Sequence, residues 1–188
     1  MTGPDAACHE LLLRLAGRLP DELLWRMRDW LADGGREVLG ATVPRELLRH
    51  RVGLTDDERG LLEAAVGSTH PLLDAVLPAS APHEPPAAFR PGDRTVDTAA
   101  LAVLAVVRSH RGCVELRQCW RGSQRVVLVL GAERPWELAG TLQRLLRAHG
   151  DRTPCVEVLP PHGEPPAYHR AAIIDSAPLW RSAALVGA

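Results

Sequence analysis

Four cysteines, Cys8, Cys113, Cys119 and Cys155, together with His110, His162 and His169, are the side chains whose types and spacing could support metal or nucleophilic chemistry. His110 and Cys113 have an HxxC spacing that can chelate, with Cys119 and Cys155 as further ligands. If one regular strand runs through both Cys113 and Cys119, they share a face about 20 Å apart and cannot reach one ion. His162 and His169 are separated by "GEPPAY", which reads as a solvated loop. The cysteines therefore read as small hydrophobes at buried or edge positions, and neither a metal nor a cofactor is expected.

Catalysis by a nucleophile needs an activated Ser, Cys or Thr beside a base and an oxyanion donor. The chain has no GxSxG, and "HELLLRL" lacks the second histidine of HExxH. Asp74, Asp93, Asp97 and Asp175 offer no paired spacing for acid/base work. "LGAERPWELAG" carries one glycine before its helix, too few for a phosphate-cradling turn. All 22 basic residues are Arg, which removes lysine Schiff-base, pyridoxal and P-loop chemistry together. The chain is expected not to be an enzyme.

Partners of two kinds are disfavoured. The net charge of -1 provides no field to draw in nucleic acid. "LTDDERGLLEAAVGSTHPLLDAVLP" has the outline of a helix-turn-helix, but its second helix, His70 to Leu77, has no Arg, Asn or Gln and carries Asp74. No window approaches the roughly 18 continuous apolar residues of a membrane span. "MTGPDAACHE" lacks the apolar run of a signal peptide, so a cytoplasmic location with free thiols is expected.

The elements that must position these residues divide the 188-residue chain into residues 1–77, helical; 78–95, a Pro-rich linker or wrapped loop; and 96–188, an αββαβ region. With 46% hydrophobic and 24% charged residues it has the balance of a soluble globular protein. In "LPDELLWRMRDWLADGG", Leu23, Leu24, Met27, Trp30 and Leu31 fall within about 120° of a helical wheel. "CHELLLRLAGRL" gathers Leu11, Leu12, Leu15 and Leu19. Pro44 is expected in the first turn of a following helix. Thr55 and Glu58 form a capping box, and "THPLLDAVLP" reads as a last short helix. Five prolines between Pro78 and Arg94 stop helix and ladder alike, and Phe89 pins this stretch to a neighbour.

In the second half, "DTAALAVLAVVRSH" reads as a buried helix capped by Asp97. "CVELRQCW" alternates Val114, Leu116, Gln118 and Trp120 against Glu115, Arg117 and Cys119. "RGSQ" reads as a hairpin connection. "RVVLVLG" is a strand covered on both faces. Pro135 starts a helix with Trp136, Leu138, Leu142, Leu145 and Leu146 available for burial, and "PCVEVLP" returns parallel to "RVVLVL". The fold class is α+β: helices, then a small mixed sheet of three to four strands. Three strands leave two edges. The N-terminal helices, a strand hidden in the tail or a second protein should cover one.

Residues Leu101 to Arg181 resemble the C-terminal domain of the SseB (enhanced serine sensitivity) family and related actinobacterial proteins found near type VII secretion genes. The resemblance is carried by the order of elements around "RVVLVLGA" and "PCVEVLP" and by the close "HRAAIIDSAPLWRS". There a helix leads into a Pro-aromatic pair and a basic residue, here Pro178, Trp180 and Arg181 with Leu179 inserted. It implies this fold, no catalytic residues, and a chaperone or immunity-type partnership with a secreted effector. The first half matches nothing in that family.

What remains is surface. Trp25 points about 160° from its helix's apolar face, beside Arg28, so either a second neighbour buries it or it is an exposed anchor, Trp with Arg being the composition of interface hot spots. Arg117, Trp120, Arg121 and Trp180 complete the candidate set, with a place in the core the more usual reading of Trp120. Docking on another protein, or on a second copy, through a sheet edge or hairpin at Arg117 to Arg121 is the expected mode. The competing expectation is a ligand or catalytic pocket between the halves, near His110, Arg117 and Tyr168.

Overall fold

A computed structural model describes residues 3–67, 71–81, 88–92 and 96–183. The chain divides into two compact units, Met1–Pro85 and Pro86–Ala188. Together the described residues hold seven helices and a mixed five-stranded sheet, an α+β fold. Among them, no helix is long and apolar enough to cross a membrane.

The first unit is built from α1 (Pro4–Arg14), α2 (Asp21–Ala32), α3 (Arg36–Arg49) and α4 (Asp56–Val66). Leu11, Leu12, Leu15 and Leu19 are buried as expected, and so are Ala7, Cys8 and Leu13. α2 buries Leu24, Met27, Arg28 and Leu31, so its inner face is rotated toward Arg28 and leaves Leu23 and Trp30 half-buried. α3 begins at Arg36, eight residues before the expected Pro44 start, and carries Pro44 inside it. Proline normally costs about 3 kcal/mol at such a position. Here Pro44 is buried between Val43 and the tightly packed Leu47 turn.

At α4 the capping box is complete: Glu58 N–H donates to Thr55 Oγ1 (3.3 Å) and Thr55 N–H to Glu58 Oε2 (3.0 Å). Glu58 Oε1 also accepts from Arg18 at 2.5 Å, an ion pair whose side chains are 3% and 1% exposed. The helix expected over His70 to Leu77 is corrected. Residues 68–70 lie outside the described set, and Pro71 to Val76 form successive turns. Arg59 takes the Leu73 and Val76 carbonyls, each at 2.8 Å, and Leu54 N–H takes the Leu77 carbonyl at 2.9 Å. Locally, Ala75 and Val76 N–H donate to the Leu72 and Leu73 carbonyls at 3.2 Å, the i+3 pattern of turns and not the i+4 pattern of an α-helix.

The second unit holds β1 (Arg90–Pro91), α5 (Thr98–Ser109), β2 (Glu115–Arg121), β3 (Gln124–Leu130), α6 (Pro135–Ala148), β4 (Cys155–Leu159), α7 (Ala167–Ile174) and β5 (Ala177–Arg181). β2 and β3 form the expected hairpin through Gly122 and Ser123, and β4 lies parallel to β3. The tail does hide a strand: β5 pairs antiparallel with the first half of β2. β1, in the Pro-rich stretch, pairs with Cys119 and Trp120.

β3 is covered on both faces because its side chains alternate between two cores. Val127 and Val129 join Leu116, Val156 and Val158 beneath α5 and α6, which contribute Val103, Val107, Leu138, Leu142 and Leu146. Val126 and Leu128 join Cys119, Cys155, Phe89 and Ala172 beneath α7. Asp97 caps α5 through Ala100 N–H at 2.8 Å. α5 is apolar nearly all round, yet only one side is buried, and Leu101 remains 54% exposed.

Candidate functional site

The strand carrying Arg117, Trp120 and Arg121 is interior. β2 pairs with β3 along one side and, from Glu115 to Trp120, with β5 and β1 along the other, so among the described residues no edge is open at Arg117 to Trp120. The expected edge docking there is corrected. The outer strand β5 carries Pro178, and its register with β2 shifts between Trp180 and Pro178, which leaves Leu179 as a bulge residue. Proline and a bulge both blunt an edge against pairing, including pairing with a second copy.

Arg117 is a fastener. Its Nε donates to Ser176 Oγ (2.6 Å), its Nη2 to the Ser176 carbonyl (2.8 Å) and its Nη1 to Glu115, which also accepts from Arg181 at 2.8 Å. Arg28 is likewise not a surface residue: it is 2% exposed and donates to the Leu12 carbonyl at 3.3 Å. Trp25 is half-buried, with the Arg26 guanidinium 5.6 Å from its ring centroid. Trp180 sits half-buried against the α5/α6 core. Arg121 lies 5.5 Å from the Tyr168 ring.

Trp120 differs. It is half-buried near the hairpin end of the sheet, with the Arg90 and Arg125 guanidinium groups 5.9 and 5.6 Å from its ring. It lines a cleft of about 300 Å³ together with Ala99, Leu146, Asp97, Arg125 and His149. The elements explain the convergence: the start of α5, the β2–β3 turn and the end of α6 meet there. Arg125 pairs with Asp97, and this hydrogen bond holds the Asp97 carboxyl below its ordinary range, against a smaller opposing effect of burial. The lining is mixed, with Ala99, Trp120 and Leu146 beside the polar or charged Asp97, Gln124, Arg125, His149 and Asp151.

The cysteines are all free and buried. Burial pushes Cys8 up to about 12 and Cys113 to about 11. Cys119 rises to about 12, chiefly from burial, with Asp175 and Glu157 adding and Arg117 and Arg121 opposing. Cys8, Cys113 and Cys119 are therefore neutral thiols near pH 7, poor nucleophiles and poor metal ligands. Cys113 and Cys119 do not share a face: Cys113 belongs to the α5/α6 core and Cys119 to the α7 core. β2 starts only at Glu115, after Gly112 turns at φ +79°, where an added Cβ would stand 2.7 Å from the Gly131 carbonyl. Among the described residues no three His, Cys, Asp or Glu side chains converge for a metal ion.

His162 is exposed as expected, but His169 is not in a solvated loop: it lies on α7, fully buried, with Nε2 2.8 Å from Glu157 Oε2. Sequence reasoning missed this pair. Its signal is Glu157 inside the otherwise apolar "CVEVL", since a carboxylate in a strand covered on both faces needs a partner. His110 bonds the Glu133 carbonyl at 2.8 Å, apart from Arg117 and Tyr168 on the α7 side, so the three do not form one site.

No family model, curated protein or solved structure matches this chain.

Proposed function

We propose that this chain is a non-enzymatic protein-binding accessory that docks through the hairpin end of its second unit. The observation that supports the reading is Trp120, half-buried between two Arg side chains at a cleft of about 300 Å³. Trp and Arg dominate interface hot spots when they sit in partly desolvated pockets. The volume lies at the bottom of the range for small-molecule sites, about 300–1,000 Å³, and suits one inserted partner side chain. The neutral thiols are in keeping with a binding role rather than a catalytic one. The SseB-like character of residues 101–181 extends the proposal to a chaperone or immunity-type partner of a secreted effector, with a cytoplasmic location.

The test is capture on tagged protein from the native host at physiological salt, with Trp120→Ala beside the wild type. A stoichiometric protein retained by the wild type and lost by the variant, with circular dichroism unchanged, is expected. Equal capture by both, or none by either, overturns the proposal. A second reading, a small polar ligand in the same cleft, draws on the Asp97, Arg125 and His149 rim. Native mass spectrometry of freshly purified protein separates the two readings.

A further inference from the structure

The two faces of the sheet are secured by different means. Beneath α5 and α6 fourteen described residues are buried in one apolar core, whereas beneath α7 there are six. α7 has eight residues, too short to persist alone. His169 and Ala172 of it are buried, Tyr168, Ala171 and Ile173 pack half-buried against the same core, and Ile174 at its end is 79% exposed. Its apolar contact is thus shallower than that of α5 and α6 on the other face.

Tyr168 packs edge-on against Phe89 at 5.1 Å and under Arg121 at 5.5 Å, and the polar fastenings of the helix lie at its two ends. Near the first turn, His169 Nε2 meets Glu157 Oε2 of β4 at 2.8 Å, with side chains 0% and 1% exposed. Just past the last turn, Arg117 of β2 donates to Ser176 Oγ and to the Ser176 carbonyl, while that hydroxyl donates to the Ile173 carbonyl at 2.8 Å. Arg170 of α7 bonds Glu164 (3.0 Å) and the Pro165 carbonyl (2.9 Å), tying the helix to its own preceding loop. Loop and helix therefore form one piece, with Gly163 at φ +106°. Segments with little apolar burial and few long-range fastenings open locally, well below the free energy of global unfolding.

We propose that α7 and its preceding loop form a releasable cover, latched by Glu157 and His169, that lifts from the sheet while the α5/α6 side stays folded. Lifting uncovers Cys119 and Cys155, whereas Cys113 on the opposite core and Cys8 in the first unit stay shielded. The four buried thiols are thus built-in reporters of which part opens.

The test is N-ethylmaleimide labelling of the full chain under native conditions, read cysteine by cysteine from peptide masses. In the wild type, Cys119 and Cys155 label together and faster than Cys113 and Cys8. In His169→Ala their labelling rises at least tenfold, while Cys113 and Cys8 are unchanged. His169→Gln, which keeps a donor toward Glu157, falls between. All four cysteines rising together in the variant, or Cys119 and Cys155 labelling no faster than Cys113 in the wild type, overturns the proposal. The wild-type arm decides the matter even where His169→Ala fails to fold.

Discussion

Removing the charge of Arg18 should cost the first unit a large part of its stability. Arg18 and Glu58 meet at 2.5 Å with side chains 3% and 1% exposed, and Arg18 also donates to the Gly53 carbonyl at 2.5 Å. Arg18→Met leaves Glu58 charged and buried, and Glu58→Gln leaves Arg18 so, while Gln preserves the capping-box acceptor. Breaking a buried pair from one side costs about 3–5 kcal/mol. For a unit of this size that corresponds to a fall in Tm of roughly 12–40 °C. The double variant removes both charges and should lose at least about 2 kcal/mol less than the sum of the singles. Urea unfolding followed by far-UV circular dichroism on all four proteins measures the cycle. Single losses under about 1 kcal/mol, or strict additivity, would refute the claim that the pair acts as a buried unit.

Other expectations follow from single contacts. Asp97→Ala removes the α5 cap and the Arg125 partner, and should cost about 1 kcal/mol by urea unfolding. Since the folded pKa of Asp97 is depressed, its contribution is present above the ordinary carboxylate range and fades as pH falls through the folded value. An acid titration of wild type against Asp97→Asn should show that difference. Cys8, Cys113 and Cys119 are raised in the folded state, so they stabilise it below about pH 9, and that contribution is lost as pH rises toward their folded values near 11 to 12. Cys119→Ala should flatten the alkaline limb of a stability-versus-pH curve. Gly131→Ala should destabilise by more than about 1 kcal/mol, because φ is +85° and the new Cβ would stand 2.7 Å from the Gly112 carbonyl.

Local signals with a single physical meaning were legible in the sequence. Thr55 and Glu58, Asp97, and Pro135 at the start of α6 each mark a helix start by satisfying or omitting amide donors. The apolar run of β3 announced a strand covered twice. What failed depended on distant partners. In place of the helix expected at His70 to Leu77 stand turns closed by i+3 hydrogen bonds, with Arg59 and Leu54 holding the Leu73, Val76 and Leu77 carbonyls from elsewhere in the unit. Edge docking at Arg117 rested on three strands, and β5, short and interrupted by Pro178, carried too weak a periodicity to be counted. Arg28 looked exposed because a helical wheel does not know that Leu12 offers a carbonyl to a buried guanidinium. Of the candidate residues, Trp120 stands at a cleft whose other walls come from positions far apart in sequence, Asp97, Arg125 and His149.

The central claim is that the hairpin end of the second unit is where a partner protein docks. Photocrosslinking from position 123, exposed at the hairpin turn, tests it most directly, with a probe at the exposed position 26 of α2 as the comparison. In the native host the expected result is one discrete adduct from position 123, absent when Trp120→Ala is added, and none from position 26. An adduct from position 26 alone, or one from position 123 that survives Trp120→Ala, would contradict the account.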